Sequence, residues 1–169
     1  NKNIANKYKA GVGLNYLDQY MEKNAMDVML TQFLNENKLQ TTTSKAFESY
    51  IKEKTTKNID WFFEDYLGSS MKIDFKIKRV EKSEDSLTIT IKNKKDHLMP
   101  ISLFTIKDDS ILSKQWIEGF KGYKTVTITN NQADKLALNF DTTIPEMNLR
   151  NNWKSLGGFS ANNKPLQFR

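Results

Sequence analysis

The sequence predicts an α+β chain: an N-terminal helical bundle over residues 1–70, then an antiparallel β-sandwich over 71–145 and an extended tail over 146–169. Three observations predict it. The hydrophobic period is that of a helix up to residue 70 and becomes two just after it. The net charge of +6 is uneven: the nine lysines of residues 1–71 are balanced by nine carboxylates, whereas residues 72–169 carry 17 Lys and Arg against 11 acids. Turn-forming pairs then recur at short intervals through the second part, as in an all-β domain.

The first helix is read over "NKYKAGVGLNYLDQYM". Tyr8, Val12, Tyr16 and Tyr20 recur at four-residue steps, with Leu14, Leu17 and Met21 beside them, and Asn24 is the expected stop. Gly11 and Gly13 lie inside this helix, where each glycine costs about 1 kcal/mol relative to alanine. Close packing of the helix on a neighbour would offset that cost, and two glycines simply tolerated in a packed helix is the competing reading. A second helix runs from Ala25 to about Asn37 with Val28, Met29, Phe33 and Leu34 at helical spacing. Thr43 is positioned to cap a third, which carries Phe47, Tyr50 and Ile51. Asp60 is the expected cap of a short fourth helix that buries Trp61, Phe62, Tyr66 and Leu67 and ends at Gly68.

Past Ser70, Ile73, Phe75 and Ile77 alternate with Asp74, Lys76 and Lys78, and Leu87, Ile89 and Ile91 alternate with Thr88, Thr90 and Lys92. The two runs predict a hairpin across "EKSEDS". Further strands are predicted at 99–106, 111–117, 123–129 and 135–140, with turns at Asp108–Asp109, Lys121–Gly122 and Asn130–Asn131. The Asn-, Gly- and Lys-rich segment after Pro145 reads as an extended tail along an edge.

Several classes of chemistry find no support. The chain has no cysteine and one histidine, His97, so it cannot build a His-rich zinc site of its own. His97 lies in the turn-like "KKDHLMP" and reads as an exposed loop residue. "GVG" does not follow a strand, so it is no phosphate cradle. The lysines alternate with core positions and are interleaved with acids, which is a solvated sheet face rather than a nucleic-acid site. Glu64 and Asp65 are neighbours on a helix and do not face one another, and Asp108–Asp109 sits at a turn, where Asp is common for local hydrogen bonding, so neither pair reads as an acid/base site. No apolar run reaches the roughly 20 residues that span a bilayer.

One ordered set of segments resembles a known family. "YKAG" followed by "GLNYLDQYM", a helical stretch, then "TTTSKAFESYIKEKTTKNIDWFFEDYL" is similar to the part of aminopeptidase N-like zinc metallopeptidases (gluzincins) that lies downstream of their zinc motif. "KIDFKIKRVEKSEDSLTITIKNK" resembles the strand-rich domain that follows there, of immunoglobulin or fibronectin type. "QWIEGFKGYKTVTI" and "IPEMNLRNNW" resemble the end portion of Bacteroidetes-type members. The resemblance implies that this chain is a C-terminal, non-catalytic piece of a peptidase. Zinc and the general base would be held upstream of Asn1, with no cofactor in this chain. The partners implied are that upstream catalytic domain of the same polypeptide and a peptide substrate. It implies that Tyr8 is the tyrosine that donates its hydroxyl to the oxyanion of the tetrahedral intermediate. The family has Tyr-Glu-Lys-Gly where this chain has Tyr8, Lys9, Ala10 and Gly11, so the middle two residues depart. It also implies a periplasmic or cell-surface location. Two other readings stay open: an interaction module with no enzyme ancestry, and a family member that lost its zinc site.

Overall fold

The computed structural model describes residues 2–21, 25–70 and 72–157, with side chains from residue 7 onward. Asn24, the expected helix stop, and the part of the tail past residue 157 lie outside the described residues. The architecture is α+β and falls into two compact units, Asn1–Ser70 and Met71–Arg169.

The helical unit contains α1 (Lys2–Met21), α2 (Ala25–Glu36), α3 (Ser44–Lys54) and a wide π-helical turn over Phe62–Leu67. One face of α1 sinks Tyr16, Leu17, Tyr20 and Met21 into the core. Tyr16 and Tyr20 meet Trp61 at ring-centroid distances of 4.5 and 5.6 Å. On α2 the buried residues are Met26 and Phe33, not the expected Val28 and Leu34, which are exposed. Met29, Phe33, Met26, Leu30 and Leu34 form one arc of this helix with Met26 and Phe33 at its centre, so Leu34 falls at the rim and Val28 on the opposite side. Phe33 packs on Phe47 and Tyr50 of α3 at 5.1 and 5.2 Å.

Thr43 caps α3 as expected: its backbone is extended and its hydroxyl oxygen accepts the Ala46 N–H at 3.1 Å. Thr43→Ala should lower the urea midpoint by an amount equivalent to about 1 kcal/mol, and Thr43→Ser should restore it. Asp60 does not cap the fourth segment. Its carboxylate is 2.7 Å from Lys52 Nζ, which also holds Glu48 at 2.7 Å, so the side chain is drawn back to α3 by charge. Gly68 does end the segment, with right-handed φ of −73° and its N–H donating to Phe63 O at 3.0 Å. Here glycine answers a close approach, since a Cβ would lie 2.5 Å from Glu64 O.

The second unit contains β1 (Phe75–Lys82), β2 (Ser86–Asn93), β3 (Ile101–Lys107), β4 (Ser110–Ile117), β5 (Tyr123–Thr129), β6 (Lys135–Leu138) and β7 (Trp153–Ser155). Two antiparallel sheets form, ordered β1-β2-β5 and β4-β3-β6-β7. Leu87, Ile89 and Ile91 of β2 are buried while the threonines between them face outward. Strand β3 is buried at every position from Ile101 to Ile106, being flanked on both sides in its sheet. The β3–β4 hairpin turns through Asp108 and Asp109, whose φ of 46° and 62° are left-handed, as a tight two-residue hairpin turn requires.

Two expectations of exposed polar residues fail in this unit, one in a loop and one in a strand. His97 is fully buried, not exposed: its ring meets Phe75 edge-on at 5.4 Å and its Nδ1 accepts the Met99 N–H at 3.2 Å. Asn93 holds the same loop down, donating to His97 O at 2.9 Å and Phe120 O at 2.7 Å. Asp74 is also buried, paired with Lys94 Nζ and accepting from Asn151 Nδ2 at 3.1 Å. The segment after Pro145 carries a 3-10 turn at Leu149–Asn151 and then β7, which pairs with β6 at the edge of the four-stranded sheet.

Candidate functional site

Tyr8 lies on α1 and is 75% exposed. Gly11 and Asn15, one and two turns on, are exposed on the same stripe, opposite the buried Tyr16 and Tyr20. A Cβ on Gly11 would meet nothing within 4 Å, so within this unit Gly11 faces open space. Gly13 differs: a Cβ there would lie 2.2 Å from Tyr66 Cε1 and 3.1 Å from Phe62 Cε2. Close packing therefore accounts for Gly13, and nothing in the helical unit accounts for Gly11.

The backbone next to Tyr8 is tied to the π-helical turn. The Tyr66 hydroxyl donates to Lys9 O at 3.0 Å, and Lys9 Nζ donates to Ser69 O at 2.6 Å while lying 5.5 Å from the centre of the Tyr66 ring. Burial raises the Tyr66 phenol above its ordinary value, and Tyr8 close by adds to that. Tyr66 and Lys9 were not singled out by sequence reasoning as neighbours of Tyr8. Tyr66 read as core in "DWFFEDYL", and its separation from Lys9 by 57 residues hides the bond from any local pattern.

Between α1 and α2 runs a groove of about 400 Å³ with Leu14, Met26 and Leu30 as apolar lining and Asp18 and Asp27 as acids. Asp18 is in use, since its Oδ1 accepts the Met26 N–H at 3.0 Å at the start of α2. Val28 and Leu34 on α2 are more than half exposed.

A second polar centre lies in the strand unit. The Glu146 carboxylate accepts from Phe75 N–H at 2.8 Å, Asn139 Nδ2 at 3.2 Å and Asn152 Nδ2 at 2.5 Å. Burial pushes its acid up to about 7, against the pull of those three donors and with Asp74 adding a further push. No pattern in "TTIPEMN" marks this glutamate, because its donors come from β1, the end of β6 and the turn before β7.

Among the described residues no three of His, Cys, Asp and Glu are grouped to hold a metal, and the Nδ1 of the sole histidine is taken by backbone. Among the described residues no helix is long and apolar enough to cross a membrane.

No family model and no curated protein matches the chain. A solved structure does: Legionella pneumophila aminopeptidase A in complex with aspartic acid, at a TM-score of 0.68 and 12% identity. The chain is similar in fold to part of an aminopeptidase. The match covers 82% of this chain and 17% of that one, so the chain spans about a sixth of the length of the protein it resembles. At that identity the likeness concerns the fold, and it joins this chain to a peptidase-related architecture.

Proposed function

We propose that this chain is the C-terminal, non-catalytic portion of an aminopeptidase N-like zinc metallopeptidase. In this reading the helical unit walls the active-site cleft and the two sheets form an immunoglobulin- or fibronectin-like sandwich. The observation that carries the reading is the fold shared with part of an aminopeptidase. The exposed apolar residues Val28, Leu30 and Leu34 support it, because an upstream domain packed on α2 would cover them. Gly11 supports it too: a glycine facing open space here is explained if another part of the polypeptide approaches that stripe of α1.

Tyr8 would then present its hydroxyl to the oxygen that becomes negative as the scissile carbonyl turns tetrahedral. Its exposure leaves the hydroxyl reachable, and Tyr66 and Lys9 hold the adjacent backbone still, as a preorganised donor needs. Zinc would be held by residues outside this chain, and no step here is routed through it.

The test is kinetic. In the longer polypeptide, Tyr8→Phe should lower kcat about a hundredfold and leave KM nearly unchanged, because the lost bond forms only as negative charge develops. An unchanged kcat would remove Tyr8 from the mechanism. A His-Glu-x-x-His motif encoded upstream of Asn1 would separate this reading from a zinc-less relative and from an interaction module.

A further inference from the structure

Among the described residues the two sheets have four outer strands: β1, β5, β4 and β7. Three are blunted against pairing with another chain. Strand β1 carries Lys76, Lys78, Arg79, Glu81 and Lys82 and bulges at Lys78, where the register shifts between Ile77 and Arg79. Strand β4 bulges at Leu112, opposite the step from Thr105 to Ile106. Strand β7 is three residues long. Charges, bulges and short length are the usual devices that keep a sheet edge from recruiting a further strand.

Strand β5 has none of these over most of its length. It pairs with β2 in unbroken register from Tyr123 to Thr129, has no proline, and holds no charge beyond Lys124. The direction of its free hydrogen-bonding groups follows from the ladder. Asn93 N–H donates to Gly122 O at 2.8 Å and Asn130 N–H donates to Asp85 O at 2.9 Å, so the even-numbered residues of this strand bond to β2. The N–H and C=O of Tyr123, Thr125, Thr127 and Thr129 therefore point away from the sheet. All four residues are exposed.

We propose that this edge pairs with the same edge of a second copy, antiparallel about Val126, to give one continuous sheet across the dimer. The register is self-complementary. Thr125 meets Thr127 of the second copy and Tyr123 meets Thr129, so every outward-pointing backbone group of the strand gains a partner. The threonine pairs already formed with β2, Thr88 with Thr127 at 3.3 Å and Thr90 with Thr125 at 3.2 Å, continue across the join. Val126 meets Val126, which covers side chains left half-buried in the single copy. Each Lys124 falls opposite an Ile128, so no two like charges face each other, the arrangement cross-strand pairs require. No other register about a two-fold axis pairs all four outward-facing residues within the strand.

Sedimentation velocity of the 169-residue chain from micromolar to submillimolar concentration tests this. The expected result is a mass that rises toward twice 19.6 kDa. Thr127→Pro removes an N–H that the single copy does not use, so it should keep the far-UV circular dichroism and weaken self-association by about tenfold or more. Because proline could perturb the strand, Val126→Cys gives a second measurement. In a non-hydrogen-bonded pair the two Cα atoms are about 4.5 Å apart, within disulfide range, and the chain has no other cysteine. Val126→Cys should oxidise to a covalent dimer, while Ser113→Cys on β4 stays a thiol. A chain that is monomeric throughout overturns the proposal and leaves the edge to an extended segment of another protein. A dimer that survives Thr127→Pro and leaves Val126→Cys reduced overturns it too, by locating the interface elsewhere.

Discussion

Raising the pH from 4.5 to about 7 is expected to lower the stability of the strand unit by roughly 3 kcal/mol, and Glu146→Gln to remove most of that dependence. The direction follows from the proton count. An unfolded Glu146 has its ordinary value of 4.5, whereas burial in the folded chain pushes it to about 7. Between those values the folded state holds a proton that the unfolded state has released, so stability is complete below 4.5 and falls as pH rises through 7. The groups around the carboxyl are Phe75 N–H, Asn139 and Asn152 as donors, with Asp74 and its partner Lys94 next to them. Asn152 Oδ1 is buried with no hydrogen-bond partner, so an amide rotated by half a turn can accept from the protonated acid. Glutamine reproduces that neutral form. Urea titrations of both proteins at a series of pH values decide the matter. If the three donors outweighed burial, the wild-type stability would instead stay nearly level above pH 5 and fall as the pH is lowered below 4.5.

Gly13→Val is expected to cost about 3 kcal/mol, while Gly11→Ala two residues away should gain about 0.5–1 kcal/mol. Both changes raise helix propensity, valine by a few tenths of a kcal/mol less than alanine, so most of the difference between them is packing. At Gly13 even a Cβ would sit 2.2 Å from the Tyr66 ring. That ring has nowhere to go: it stacks on Phe62 at 5.9 Å, meets Tyr16 edge-on at 6.2 Å, and has its hydroxyl bound to Lys9 O. At Gly11 a methyl group meets nothing. Equal midpoints for the two variants in denaturant would show that α1 does not rest on Tyr66 as described.

Much of the fold was legible because local physics dominated those segments. The period-two runs around Ile89 and Val126, the left-handed aspartates at 108 and 109, and the Thr43 cap each follow from near neighbours. Most of the misreadings arise from contacts that the local pattern of polar and apolar residues does not show. Asp74 looked like a solvent-facing strand residue but is neutralised by Lys94 and bonded by Asn151, 77 residues on. His97 looked like a loop residue, yet it and Met99 lead into β3 with side chains directed inward. Asp60 was claimed by Lys52 instead of a helix terminus. The candidate site divides the same way. The position of Tyr8 on a helix was readable from spacing, but the anchoring of its neighbour by Tyr66 was not, and Glu146 carried no local mark at all.

The π-helical turn settles a problem of phase. Tyr16 touches both Trp61, at the entrance to the turn, and Tyr66 within it. Residues five apart point to different sides of an α-helix, so an ordinary turn could offer Tyr16 only one of the two. The wider winding, seen in the Gly68 N–H reaching back five residues to Phe63 O, swings both onto one side. A chain one residue shorter here would have to give up either the indole that covers α1 or the phenol that ties down the backbone beside Tyr8.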